Sequence, residues 1–376
     1  MILLQSEIPE CAVFFAGSVV TCNLSVMCKN SEEEGLAWGS AQVIGIAAIK
    51  NVGNMKEEQP GVSFPESTSL SANKSEKGHI VYSTKPKILF CDIKIPHGEV
   101  LKFAFEFVLP QDLPPSHNGS TVRYSYKIKL AVQRVGESIK FMQLPFRVLS
   151  VKGIPLISTE VESPPMNPFL PRQITQDYGK LTLDILTNLT SRRSPVIYNI
   201  VNQRGKVAKL CIFKSVFRLG EDIIGFFDFS GSQVPCYQYL ITLQSEEKRD
   251  AGDKDSKEAK EPSQLSKPAA KNVIPHAKCH EMCLGLQHTN FSVPIPLHGT
   301  QTFHELGVSL SWKLHFEFVT CASSVDLEPS SDTCSSPPSS TNVETMTWDF
   351  PIQVFPAAPA HIDKALLLTK TQVLSL

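Results

Sequence analysis

Four potential metal ligands lie close together between residues 276 and 283. They are His276, Cys279, His280 and Cys283, and imidazole nitrogen and thiolate sulfur are ligand atoms that zinc prefers. No second ligand pair stands at the spacing of a zinc finger, and Cys279 with Cys283 alone makes an incomplete site. We therefore expect a loop beside a strand that happens to hold these residues, rather than a zinc site.

The sequence motifs of hydrolases and nucleotide-binding enzymes are missing from the chain. His304-Glu305 begins like the H-E-x-x-H motif of zinc proteases, but Val308 stands where the second histidine belongs. There is no G-x-S-x-G, no P-loop and no G-x-G-x-x-G. We predict no catalytic residue, no cofactor and no metal, so an enzyme with its own active site is the least favoured class.

Basic residues are concentrated in the stretch from residue 196 to residue 230. The simplest interpretation is the solvated face of a strand, and the sharper one is a docking face for an acidic partner surface. The candidate partner-facing residues are Arg204, Lys206, Lys209, Lys214 and Arg218.

The composition limits the classes of partner and compartment. A net charge of −1 over 376 residues gives no basic excess for nucleic acid and no polybasic face for acidic lipid. No apolar run approaches the roughly 20 residues of a membrane span. The start of the chain, 1–9, lacks the basic residues of a secretory signal. We therefore expect reduced cysteines and a cytosolic protein.

An internal repeat organises the elements that carry these residues. Phe217-Arg218-Leu219-Gly220 matches Phe14-Phe15-Ala16-Gly17, and in both an aliphatic pair then leads into a strand-like run. Each glycine predicts a turn with positive φ between two strands. Two further matches follow in the same order: 124–128 with 310–314, and 144–149 with 350–355.

Period-two alternation of apolar and polar residues predicts an all-β protein built from two antiparallel sandwiches in tandem. In the run 100–109, for example, Phe103, Phe105 and Phe107 alternate with Lys102, Ala104 and Glu106. The predicted strands of the first half are 11–28, 38–49, 88–95, 100–109, 122–132 and 141–151. Those of the second half are 206–213, 223–229, 236–244, 290–297, 307–320 and 348–355.

These patterns divide the chain into four parts. We predict a first sandwich over 1–152, a Pro-rich linker with one helix near 177–190 over 153–195, a second sandwich over 196–356, and a tail over 357–376. The polar stretch 51–77 is predicted to be a long loop, and 246–271 and 323–342 to be disordered insertions. For the tail we favour a frayed end over a short amphipathic helix.

Tandem sandwiches that each open with an aromatic-x-x-Gly turn resemble the arrestin fold. Longer motifs resemble the smaller, arrestin-like subunit of the two-subunit exchange factor for a Golgi Rab GTPase, and this resemblance runs from about residue 10 to residue 356. The motifs are Ser83–Asp92, Arg204–Val207, Ile212–Asp222 and Trp312–Thr320.

The resemblance implies a non-catalytic protein of the cytosol and the Golgi membrane, peripherally bound through its complex. Its partners would be a large subunit with propeller and helical-repeat parts and the Rab GTPase. Together the two subunits would promote release of GDP and support retrograde transport from endosomes to the Golgi. No catalytic residue of that family can be placed on a position of this chain.

The alternative is an arrestin-like cargo or ubiquitin-ligase adaptor, or a retromer-type coat subunit. Ligase adaptors of this kind commonly carry Pro-Pro-x-Tyr motifs. The Pro-Pro pairs that begin at Pro114, Pro164 and Pro337 all lack the tyrosine. This absence counts against ligase recruitment and leaves the cargo and coat interpretations open.

Overall fold

The chain folds into two compact units dominated by β-strands. A computed structural model describes residues 1–29, 34–49, 78–152, 178–249, 272–321 and 342–376. The first unit contains Met1–Ile185 together with Ala358–Leu376, and the second contains Leu186–Ala357. The prediction of an all-β fold with two successive sandwiches is confirmed. The predicted domain limits stay predictions, as does the behaviour of 51–77, 153–177, 250–271 and 323–341, which lie outside the described residues.

The first unit packs a sheet of four strands against a larger one. The small sheet has the order β21-β1-β3-β7, and the large sheet has the order β2-β10-β9-β4-β5, with β6 also paired to β4 and β8 to β9. Numbered along the chain, its strands are β1 Ile2–Glu7, β2 Val13–Phe15, β3 Val19–Cys28, β4 Glu34–Ile49, β5 His79–Ser83, β6 Lys87–Ile95, β7 Val100–Val108, β8 His117–Asn118, β9 Val122–Arg134, β10 Lys140–Leu149 and, from the tail, β21 Thr371–Ser375.

The second unit repeats this arrangement. A four-stranded sheet has the order β11-β12-β14-β17, and a six-stranded sheet has the order β13-β20-β19-β15-β16, with β18 paired to β19. The strands are β11 Val196–Asn202, β12 Gly205–Ile212, β13 Val216–Arg218, β14 Asp222–Asp228, β15 Cys236–Arg249, β16 Asn272–Met282, β17 His288–Pro294, β18 Phe303–Glu305, β19 Val308–Cys321 and β20 Val343–Phe355.

Alternation along the strands fills the space between the sheets, as the sequence predicts. In β7, Phe105 and Phe107 are buried, whereas Lys102 is exposed. In the second unit, Phe227 of β14 meets Phe318 of β19 with ring centroids 5.6 Å apart, so aromatic contacts join its two sheets.

The internal repeat holds at the level of strand register. Both short strands β2 and β13 pair in parallel with the last strand of their unit: Phe14 lies opposite Val148, and Phe217 lies opposite Val354. The glycines that follow, Gly17 and Gly220, have φ of 93° and 83°. The prediction of positive-φ turns at both positions is confirmed.

The linker helix is confirmed, whereas the expectation of a frayed tail is wrong. Helix α1 spans Tyr178–Ser191. A second helix, α2, spans Pro359–Leu366 and is followed by β21, which pairs antiparallel with β1. Pro359 stands in the first turn of α2, where its missing N–H costs nothing. The tail is ordered because β21 extends the small sheet and Leu374 packs against the core of the first unit.

Two segments differ from the sequence prediction. The strand β15 runs to Arg249, so 246–249 belong to a strand and not to a disordered insertion. Glu246 and Glu247 are buried there and pair with β16 and β19. The segment predicted to be a strand-flanking loop around His276 is itself a strand, β16, at the end of the sheet order.

Candidate partner-binding surfaces

The four potential zinc ligands do not converge. His276, Cys279 and His280 follow one another along β16, and Cys283 comes just after its end. The His276 ring stacks on Trp312, and its Nε2 lies 2.7 Å from Ser245 Oγ. In the described part of the chain, no three His, Cys, Asp or Glu side chains are grouped so that they could hold a metal ion.

One of the two cysteines of this set is buried and the other is partly exposed. Cys283 is buried, and its thiol donates to the carbonyl oxygen of Cys236 at 3.4 Å. A hydrogen bond with Cys283 and burial raise the pKa of the Cys236 thiol. The contact ties Cys283 to Cys236 at the start of β15.

The His304-Glu305 pair lies on the short strand β18. Glu305 lies directly opposite Val308, the residue that stands in place of the second histidine, in the antiparallel pairing of β18 with β19.

Within the described ranges, no helix is both long and apolar enough to cross a bilayer.

The five predicted partner-facing residues fall into two separate groups. Lys214 and Arg218 surround Glu221 at the Gly220 turn. Lys214 Nζ lies 2.7 Å from Glu221 Oε2, and Arg218 Nε lies 3.1 Å from Glu221 Oε1. Lys214 also donates to the carbonyl oxygen of Thr190 at the end of α1. These two cations therefore fasten the turn to the helix.

The ion pairs at this turn set the charge state of Glu221. Burial of its carboxyl opposes ionisation, yet hydrogen bonds from Lys214 and Arg218 outweigh burial and hold the pKa of Glu221 below its ordinary value. The carboxylate is ionised at neutral pH. It neutralises part of the positive charge that the sequence places here.

The other three basic residues belong to the β11–β12 hairpin. The N–H of Arg204 donates to Asn202 Oδ1 at 2.9 Å, which fixes the turn, and the guanidinium lies 4.0 Å from Glu344. Lys206 and Lys209 are half-buried on β12. Lys209 lies opposite Asp228 of β14 in the sheet register. Whether these residues face a partner stays a prediction.

Sequence reasoning missed an apolar surface on the outer face of the four-stranded sheet of the second unit. We call it the outer strip, and it consists of Ile197, Phe213, Ile224 and Phe226. The exposed fractions are 55% for Ile197, 37% for Phe213 and 49% for Ile224. The adjacent apolar pairs Ile223-Ile224 and Phe226-Phe227 could have revealed this surface, because neighbouring residues in a strand point to opposite faces of the sheet. One member of each pair must therefore lie outside the core.

The fold and these surfaces define the class: an all-β tandem-sandwich protein whose described residues present charged and apolar surfaces. The sequence profile of the Rgp1 family matches residues 12–167 and 172–321. The chain belongs to the Rgp1 family.

Two relatives extend this similarity over nearly the whole chain. The chain is 34% identical over 389 residues to the protein called RAB6A-GEF complex partner protein 2 in Homo sapiens, covering 96% of each chain. It is 34% identical over 386 residues to the protein of that name in Bos taurus, covering 94% of this chain and 93% of the relative.

Proposed function

We propose that this protein is the smaller, non-catalytic subunit of a guanine-nucleotide exchange factor for a Rab GTPase of the RAB6A type. The observation that carries the proposal is the match to proteins named as partners in a RAB6A-GEF complex, over 94–96% of this chain. Such coverage includes most of both units, so the similarity belongs to the tandem architecture and not to one common sandwich.

The chemistry of nucleotide exchange suits a protein of this build. Exchange makes and breaks no covalent bond. A factor needs to bind the nucleotide-free GTPase more tightly than the loaded one, which it does by holding loops away from nucleotide and magnesium. Sandwich faces such as that of β11-β12-β14-β17 supply area for binding a large subunit and for extending its GTPase-facing surface.

The proposal includes the finer features that the sequence resemblance implies. The two sandwiches would be arrestin-like, and the large subunit would contain propeller and helical-repeat parts. The complex would act as a peripheral assembly at the cytosolic face of the Golgi, in retrograde transport from endosomes. The tandem sandwiches and the Rgp1 family membership support this proposal.

A reconstitution tests the function. Release of fluorescent GDP from RAB6A is followed with the large subunit alone, this chain alone, and the two together. We expect fast release from the pair and slow release from either subunit alone. Full activity of the large subunit alone would contradict the proposed role.

A second arm separates the alternative classes. The tagged full chain is isolated from cytosol and its stoichiometric partners are identified by mass spectrometry. A large subunit recovered at one copy per chain supports the proposal. A coat complex or a ubiquitin ligase recovered in that proportion would favour the adaptor function instead.

A further inference from the structure

The outer strip is continuous across three strands. Ile197 of β11 lies opposite Cys211 of β12, and Cys211 lies opposite Phe226 of β14. Phe213 follows β12, and its ring centroid is 6.2 Å from that of Phe226. Ile224 precedes Phe226 by two residues and therefore points to the same face. These side chains form one apolar surface on a solvent-facing side of the sheet.

The fold itself does not require this apolar surface, because the first unit builds the same face from different residues. Counted from the matched Phe14 and Phe217, Ile224 and Phe226 correspond to Thr21 and Asn23. The row of the first unit that contains Asn23 runs across β21, β1, β3 and β7 as Thr371, Glu7, Asn23 and Ala104. An equivalent sheet thus folds with a mainly polar row at this position.

Positive charge borders the outer strip. Arg192 and Arg193 are exposed, and they directly precede Ser194, whose N–H donates to the carbonyl oxygen of Phe213 at 3.0 Å. Among the described residues neither arginine forms an ion pair. On the other side of the strip, Lys209 precedes Cys211 by two residues on β12 and therefore lies on the same face of the sheet.

Two acidic groups share this face. Asp222 precedes Ile224 by two residues on β14 and is exposed. Asp228 lies opposite Lys209, and the backbone N–H of Ser230 donates to its carboxylate at 2.8 Å. These two carboxylates disfavour an anionic lipid surface, which they would repel along its whole plane. They are compatible with a protein segment whose own charges are placed to avoid them and to meet the basic residues.

We propose that the outer strip is the docking surface for an acidic, amphipathic segment of the large exchange-factor subunit. The apolar side of that segment covers Ile197, Phe213, Ile224 and Phe226, and its carboxylates face Arg192, Arg193 and Lys209. Exposed aromatic and aliphatic anchors with a charged rim are the composition expected of a binding surface. This inference rests on the proposed function, since it names the surface that the large subunit uses.

The test compares two double variants of the full chain in binding to the large subunit. Ile197→Asp with Ile224→Asp places two carboxylates in the strip. Val19→Asp with Val108→Asp is the matched control, because these valines are 48% and 67% exposed and pair on the outer face of the corresponding sheet of the first unit. We expect the strip variant to bind at least about tenfold more weakly and the control to bind normally.

A charge variant tests the rim. Arg192→Glu with Arg193→Glu should weaken binding and reduce its dependence on salt, because the attraction between rim and segment is screened by ions. Melting temperatures equal to that of the unchanged chain establish that the variants fold.

The outcomes separate the two proposals. If the unchanged chain does not bind the large subunit, the proposed function fails. If it binds and the strip variant binds equally well, the docking inference fails while the function stands. Binding of the chain to phosphatidylserine vesicles, or self-association, that is lost in the strip variant but kept in the control would assign the strip to a membrane or a second copy, and would overturn the inference.

Discussion

Tyr126 and Trp312 occupy the same position in the two sandwiches and make the same hydrogen bond. Tyr126 Oη donates to the carbonyl oxygen of Pro114 at 2.6 Å, and Trp312 Nε1 donates to that of Thr300 at 2.9 Å. Both bonds are buried, and each reaches back twelve residues along the chain. A buried aromatic with a polar tip therefore fixes the same loop to the same strand in each unit.

Removing the Tyr126 hydroxyl should destabilise the first unit. Tyr126→Phe leaves the buried Pro114 carbonyl without this donor, at a cost of about 1–2 kcal/mol. Urea denaturation measures the loss, and hydrogen exchange of β9 and β10 assigns it to the first unit. Tyr82→Phe is the control, because the Tyr82 hydroxyl donates to Val108 at an exposed site and its loss should change little. Equal effects of the two changes would contradict the assigned role of the buried bond.

The glycine turns should tolerate alanine poorly. Gly220 has φ of 83°, and a Cβ at this position would lie 3.1 Å from Leu297 Cδ1. We expect Gly220→Ala to lower the free energy of unfolding of the second unit by about 1–2 kcal/mol, since L-residues are strained in this region. Gly35→Ala is the matched control, because a Cβ at Gly35 meets atoms only at 3.7 Å and beyond. Thermal unfolding compares the two, and an unchanged transition in Gly220→Ala would show that the turn adapts.

Local pattern was sufficient for most of the long strands and for the repeat, because period two and a positive-φ glycine are properties of neighbouring residues. It did not predict β1, β5 and β11. It failed where a segment depends on distant partners. The tail forms a strand only because β1, more than 360 positions away, offers an edge, as in the hydrogen bond from Ser6 to Gln372. β16 looked like a loop because its place at the end of the sheet leaves many of its side chains exposed.

The candidate sites, too, could be predicted from the sequence only where their contacts are local. The spacing of Arg218 and Glu221 across the predicted Gly220 turn could have revealed their ion pair, because residues on either side of a tight turn lie close together. The hydrogen bond from Lys214 to Thr190 could not be predicted from the sequence, since it depends on where α1 ends. The outer strip as a whole could not be predicted from the sequence, because Ile197 lies outside the predicted strands and because alternation alone does not tell which face of 223–229 is covered.

Stability of the second unit should depend on pH through Glu221. Its pKa in the folded chain is below the ordinary value of 4.5, so its stabilising contribution is complete above that value and is lost as the pH falls through the folded pKa. Glu221→Gln should cost about 1 kcal/mol at pH 7 and less at pH 3, which flattens the pH profile of unfolding. Asp222→Asn, an exposed neighbour, is the control. Parallel profiles for Glu221→Gln and the unchanged chain would contradict this account.

The tail should stabilise the first unit although it is the last segment of the chain. The N–H groups of Ile2 and Ile8 donate to the carbonyl oxygens of Leu376 and Lys370, at 3.0 Å and 2.9 Å. Leu374 and Leu376 pack against the core. Ending the chain after Ala357 removes these contacts, and the loss of partly buried leucines alone corresponds to about 3 kcal/mol.

Hydrogen exchange followed by mass spectrometry measures this effect segment by segment. We expect the β1 amides of the shortened chain to exchange faster, and the β12 and β14 amides of the second unit to keep their protection. A synthetic peptide of residues 358–376, added in excess, should restore protection to β1 because it supplies the missing strand and helix α2. Unchanged exchange of β1 after truncation would mean that the pairing of β21 with β1 does not hold the edge of the sandwich.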